Sequence, residues 1–261
     1  MIKKLIQVIV VLVAASVLAV AQPKAQQQAP KGKGITKKEQ DALNAVMTAK
    51  TPDERIAAAE NLVTNFADTE FKAWALEIAA EASEQKNDTA KALFYADRSL
   101  EADPKYVPAL IVIGLETAGH TRENDLDRDD KLAKAEKAAK EALDLLPNEA
   151  KPAYVKATDA QWEASKKDDA ARAHVALGLA ATVRKKYDDA AKEFQTAVDD
   201  EQMPDPTHMI RLADAYNKAG KPDEALTVAN KLLAMADLNP AYKKFAQQEK
   251  DDAEKAKSGK K

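Results

Sequence analysis

Cysteine is absent from all 261 residues. That excludes a disulfide framework, a thiolate metal site and the lipid-modified cysteine of a lipoprotein. Glycine loops that cradle phosphate are missing as well: neither G-x-x-x-x-G-K-[ST] nor G-x-G-x-x-G occurs among the 7 glycines, which serve turns and helix packing. The three histidines, His120, His174 and His208, lie far apart, the last two by 34 residues. No H-E-x-x-H joins them, so zinc lacks convergent ligands. A basic block is missing too, with 40 Lys and Arg against 43 Asp and Glu, which excludes nucleic acid as a partner because phosphate contacts need clustered cations. Paired carboxylates in a chain that is 32% charged read as solvated faces. The sequence is therefore read as non-enzymatic and without a cofactor.

What is present begins with a leader. Lys3 and Lys4 precede the apolar run "LIQVIVVLVAASVLAV", too short and too early for a membrane span but right for a signal peptide. Ala19-Val20-Ala21 puts small residues where a signal peptidase reads, so 1–21 is expected to be removed. Export to a bacterial-type periplasm or beyond follows, with no membrane partner after cleavage. Losing Lys3 and Lys4 leaves 38 basic residues against 43 acidic, a net charge of −5. Residues 22–34, "QPKAQQQAPKGKG", carry no large apolar side chain and are expected to form a flexible linker.

From Thr36 to about Lys257 apolar residues recur at spacings of three and four, and strand-like alternation is missing, so the fold class is all-α. Prolines such as Pro52, Pro108, Pro206, Pro222 and Pro240 fall at helix starts or in turns, where a missing N–H costs little. Helices of about 14 residues joined by short turns pack as antiparallel pairs. Self-similarity has a period near 34 residues. Leu177-Gly178 aligns with Leu212-Ala213, Tyr187 with Pro222, Ala190 with Ala225 and Ala197 with Leu232. Ala92, Ala96, Leu100 and Pro104 share that frame, as do Ala135, Ala139, Leu143 and Pro147.

Here the chain resembles the tetratricopeptide repeat (TPR) family. Gly114, Gly178 and Ala213 fill that family's small eighth place, Tyr216 its eleventh, and Ala92, Ala135, Ala190 and Ala225 its twentieth. Phe194 fills the twenty-fourth, and Pro104 and Pro147 the thirty-second. The resemblance implies an α-solenoid of antiparallel helix pairs that binds a protein or peptide. Units are placed at 36–70, 73–106, 107–148, 171–205 and 206–240, the first divergent, with Arg55 where Ala is expected. An unpaired helix is predicted over 149–167, carrying Tyr154 and Trp162, a capping helix over 241–257 and a disordered tail over 258–261.

The third unit carries an insertion at 119–130, within which the stretch "ENDLDRDDKLAKAE", residues 123–136, begins. Asp125, Asp127 and Asp129 alternate, Lys131 could offer a carbonyl, Leu132 stands at the eighth place and Glu136 at the twelfth, close to an EF-hand calcium loop. Asp130 stands where that loop needs glycine, and Asp129 or Asp130 also suits the N-cap of the next helix. A calcium-binding or calcium-stabilised protein is the alternative reading. The family resemblance places groove-facing side chains at Trp74, Glu77, Glu81, Ile111, Leu115, Arg172, Val175, Leu179, Ile210, Asp214 and Asn217. Glu77, Ile111, Val175 and Ile210 stand where chaperone-binding members carry lysine, so that ligand class is not implied. Several of the apolar ones equally suit core packing between units.

Overall fold

The computed structural model describes residues 34–152, 155–201 and 203–259. The leader, the linker apart from Gly34, Tyr154 and the last two residues lie outside the described residues. Within them, eleven α-helices follow one another and no strand occurs: α1 (Lys37–Thr48), α2 (Pro52–Asn65), α3 (Lys72–Gln85), α4 (Thr89–Ala102), α5 (Val107–His120), α6 (Arg128–Leu145), α7 (Asp159–Val183), α8 (Tyr187–Asp200), α9 (Pro206–Lys218), α10 (Pro222–Leu233) and α11 (Pro240–Lys257). The fold is an all-α solenoid of helix pairs, and α1/α2, α3/α4, α5/α6, α7/α8 and α9/α10 each pack together. Each pair also leans on the next, and α11 closes the end against α9 and α10.

Local chemistry sets the helix starts. The Thr36 hydroxyl accepts from the Glu39 N–H, and Thr51 forms a reciprocal capping box with Glu54. Asp88, Asp205 and Asn239 accept from the first turns of α4, α9 and α11. Such caps satisfy N–H groups that a helix start leaves open, each contributing about 1 kcal/mol. Prolines begin α2, α9, α10 and α11 and stand second in α5. The turns inside three pairs repeat one geometry: Asn87, Lys185 and Gly220 adopt φ of 57°, 58° and 73°. The next N–H in each returns to the helix it left, Asp88 to Ser83, Lys186 to Ala181 and Lys221 to Tyr216, each at 2.9 Å, the Schellman ending of a helix.

Packing rests on small residues. Ala92, Ala135, Ala190 and Ala225 are fully buried. A Cβ at Gly178 would stand 2.6 to 2.9 Å from three ring atoms of Phe194, so the α8 phenyl ring lies directly on the α7 backbone. A Cβ at Gly114 would meet Ala176 of α7 at 3.2 Å and Ala139 of α6 at 3.5 Å.

Three elements differ from their sequence expectations. No separate helix covers 149–167. After a 3-10 turn at Leu146–Asn148 the described residues stay non-helical to Thr158, whose capping box with Gln161 starts a single 25-residue α7. The charged run Lys166-Lys167-Asp168-Asp169 contains no breaker and passes inside that helix, because charge alone does not stop one. Second, Asp127 and not Asp129 or Asp130 is the N-cap of α6. The insertion adds about a turn to that helix, placing Asp129 and Asp130 within its first turn. Third, α11 begins at Pro240, one residue ahead of the expected cap.

Gly178→Ala weighs a helix-propensity gain of about 1 kcal/mol against overpacking onto a phenyl ring that has nowhere to go, typically about 1–3 kcal/mol. Urea unfolding should show Gly178→Ala less stable than the parent and Gly114→Ala clearly less affected. Equal stability of the two variants would mean that Phe194 does not fix the α7/α8 crossing.

Candidate binding site

Along α3, Glu77, Glu81 and Glu84 are spaced i, i+4, i+7 and share one face. Across from them, Asp169 and Arg172 of α7 are three apart and also share a face. Arg172 Nη1 lies 3.7 Å from Glu81 Oε1 and 3.9 Å from Asp169 Oδ1. Those separations are longer than charge-assisted hydrogen bonds, so Coulomb attraction holds the group together without tight geometry. Glu116 of α5 and Glu149 stand at its margins.

One guanidinium among these carboxylates changes their acidity. Burial and then the Glu81 charge raise Glu77 well above the usual carboxylate range, while Arg172 opposes them. Glu77 is only 5% exposed. Burial pushes Glu84 up to about 7, Glu116 and Glu81 adding to the shift while Arg172 opposes it. Burial likewise brings Asp169 up to about 6 against the pull of Arg172. Glu149 is raised by burial and by Asp169, with Lys166 opposing.

Of the residues expected to line a groove, Glu77, Glu81 and Arg172 are brought together. Ile111 and Val175 are not available to a ligand: both have no exposed surface and belong to the core. The fifth place of those units lies against neighbouring helices, because α5 packs closely on α7. Leu115 and Leu179 are partly buried and pack between neighbouring clusters of the core, and Ile210 packs on the last of them. Asn217 is held by α11, its Nδ2 donating to the Glu249 carbonyl and to Glu249 Oε2, both at 2.9 Å. Asp214 accepts from Lys218 at 2.7 Å. Trp74 packs edge-on to Phe71 and lines a cleft of about 380 Å³ with Asp68, Lys72, Asp103 and Tyr106. Sequence reasoning missed Glu84 and Asp169. Glu84 was legible as the twelfth place of the unit that supplies Glu77 and Glu81. Asp169 lies before residue 171, where the sequence placed the start of its unit, so no register assigned it a face.

The four acids of the insertion do not converge. Asp125 and Asp127 approach one ammonium, Lys131 Nζ, at 3.5 and 2.9 Å. Asp129 and Glu136 share Arg184, at 3.1 and 2.8 Å. Asp125 further accepts the Arg122 backbone N–H at 3.1 Å, which holds its carboxyl below the ordinary range. Among the described residues no group of three or more His, Asp or Glu is arranged to hold a metal ion. The histidines are likewise separate, His174 on Glu193, His208 on Glu201 and His120 on Glu116. Among the described residues no helix is long and apolar enough to cross a membrane.

Comparison with known proteins agrees with this architecture. The tetratricopeptide repeat family model matches residues 147–206 and 184–240. A thermophilic TPR protein of Thermus thermophilus superposes with a TM-score of 0.56 at 19% identity, over 81% of this chain and 98% of that one. A tetratricopeptide repeat protein from Parabacteroides merdae aligns over 85% of this chain and 90% of its own at 14% identity, with a TM-score of only 0.36. No curated protein matches the sequence. Residues 147–240 thus match tetratricopeptide repeats, and repeats of this kind suggest a scaffold for protein–protein interaction.

Because Lys131 and Arg184 already neutralise the insertion's acids, millimolar calcium should leave the melting temperature where chelator leaves it. A shift of several degrees, lost in Asp127→Ala, would show a real calcium site.

Proposed function

We propose that the chain is an exported TPR scaffold that binds a protein or peptide partner on the concave side of its solenoid and carries out no reaction itself. The observation behind this reading is the surplus of carboxylate on α3 and α7, where Glu77, Glu81, Glu84 and Asp169 face a single cation, Arg172. A partly buried acidic face of this kind favours a partner segment bearing Lys or Arg, whose positive charge draws the raised carboxyl groups into their ionised form. The half-buried apolar side chains nearby, Leu115 and Leu179, suit the apolar part of an amphipathic helix or extended peptide. Export rests on the leader: Lys3, Lys4, the apolar run and Ala19-Val20-Ala21.

Two measurements test the two halves of this proposal. A photo-crosslinking residue at position 81 should capture in the intact cell a partner that the same probe at position 94, on the exposed Phe94 side of α4, does not. The same captured set from both positions would remove the assignment of the binding face. Mass spectrometry of the chain recovered from outside the cytoplasm should give a mass beginning at Gln22. Recovery only from the cytoplasm with residues 1–21 intact would remove the export reading.

A further inference from the structure

We infer that Lys24, Lys31 and Lys33, in the segment 22–33, dock on the acidic face between α3 and α7 of their own chain and occupy it until a stronger partner displaces them. The inference rests on the binding face assigned above and adds what fills it in the free chain. Charge is divided sharply along the sequence. All 43 acidic residues stand at or after Glu39, while 22–38 carries Lys24, Lys31, Lys33, Lys37 and Lys38 and no acid. One-signed arms of this kind act as interaction segments, and opposite potential is what selects their partner. Charge and length make 22–33, which lie outside the described residues, the matching occupant.

The face itself is short of cations. Glu77, Glu81, Glu84 and Asp169 share one guanidinium, and Arg172 Nη1 stands 3.7 Å from Glu81 and 3.9 Å from Asp169. Among the described residues neither Glu77 nor Glu84 closes an ion pair. Glu77 is only 5% exposed, and the charges around it are Glu81, Arg172 and Asp169, so an enclosed carboxyl points into the group with no cation of its own. Cations on the flanks are committed elsewhere, Lys86 to Asp53, Arg55 to Gln85 and Lys166 to Glu163. Four carboxyl groups against one Arg leave three negative charges to be met, and 22–33 carries three lysines. Reach is sufficient. The chain reverses at 49–51 and again at 66–71, so α1 and α3 start at the same end of the array, and both pack on α2. Glu81 lies nine residues into α3, about 14 Å along its axis, and two successive helix contacts separate α1 from α3 by at most about 20 Å. Glu81 is therefore at most about 25 Å from the start of α1, and the ten residues from Lys24 to Gly34 extend to about 33 Å.

Binding of a probe in trans reads the contact in cis. The chain beginning at Gln22 is compared with Lys24→Gln/Lys31→Gln/Lys33→Gln, whose changes lie outside the helices, by fluorescence anisotropy of a labelled synthetic peptide with the sequence of 22–34. A tethered segment at an effective concentration of about 1 mM competes about tenfold where the contact's own Kd is about 0.1 mM. The triple variant should therefore bind the peptide about tenfold more tightly than the parent, and adding Glu81→Gln/Glu84→Gln should remove that gain. Equal affinity for parent and triple variant overturns the contact in cis; where that affinity is still lost in Glu81→Gln/Glu84→Gln, the basic-partner reading of the face stands. No binding to either chain overturns both. In the parent, carbodiimide should couple Lys24, Lys31 or Lys33 to Glu81 or Glu84 within one chain. Coupling of these lysines only to other acids overturns the contact.

Discussion

Close approach of helices over small residues is the constraint on which this fold depends. With aromatic residues making up 5% of the chain, the core cannot be built by filling wide gaps with large rings. It is built by bringing backbones together over Ala92, Ala135, Ala190 and Ala225, which leave no surface exposed. An alanine methyl buries little area by itself, so stabilisation comes from the many atom pairs placed near optimal separation on both sides of it. Phe194 shows the same rule from the other side. A ring of that size is admitted because the residue beneath it, Gly178, has no side chain.

The carboxylate group follows from that spacing. α5 meets α7 at Gly114 and Ala176, where even one added Cβ would sit at 3.2 Å. Because α5 is that closely set, the helices on its two sides come near enough for Arg172 to approach Glu81. A larger residue at position 114 would lift α7 away and separate the charges before it disturbed either helix. Packing at the core and electrostatics at the surface are thus one linked arrangement.

What the sequence made legible was periodic. The recurrence of Ala and Gly every 34 residues or so located the helix pairs, since a close crossing tolerates few residue types and so leaves a visible mark. Glu77, Glu81 and Arg172 were placed by the same register. Residues outside the register were not legible. The start of α7 depended on a capping box at Thr158 and Gln161, a signal of two residues overshadowed by the charged run that followed. Ile111 and Val175 occupied places that face outward in the family's pattern, yet the tight α5–α7 packing buries them. Burial there depends on the angle between units, which no single helix encodes.

The insertion shows how spacing and geometry part company. Read along the chain, its acids alternate as calcium ligands do. In space the added turn of α6 carries Asp129 and Glu136 over the α7–α8 turn, where Arg184 takes both, while Asp125 and Asp127 stay in the loop with Lys131. A helix start between the second and third ligands rotates the later two away from the first two, and no loop conformation can restore a common centre once Arg128 onward is helical. Surface pairs of this kind contribute at most about 1 kcal/mol each, so stability alone does not account for so many charges. Their consequence is positional: the third pair is tied by Arg184 and Lys185 to the turn of the fourth. That tie lies at the α7–α8 end of the helix whose other part carries Arg172 and Asp169. The long α7 is thereby tied at its C-terminal end to the third pair through Arg184 and Lys185, and toward its other end to α3 through Arg172 and Glu81.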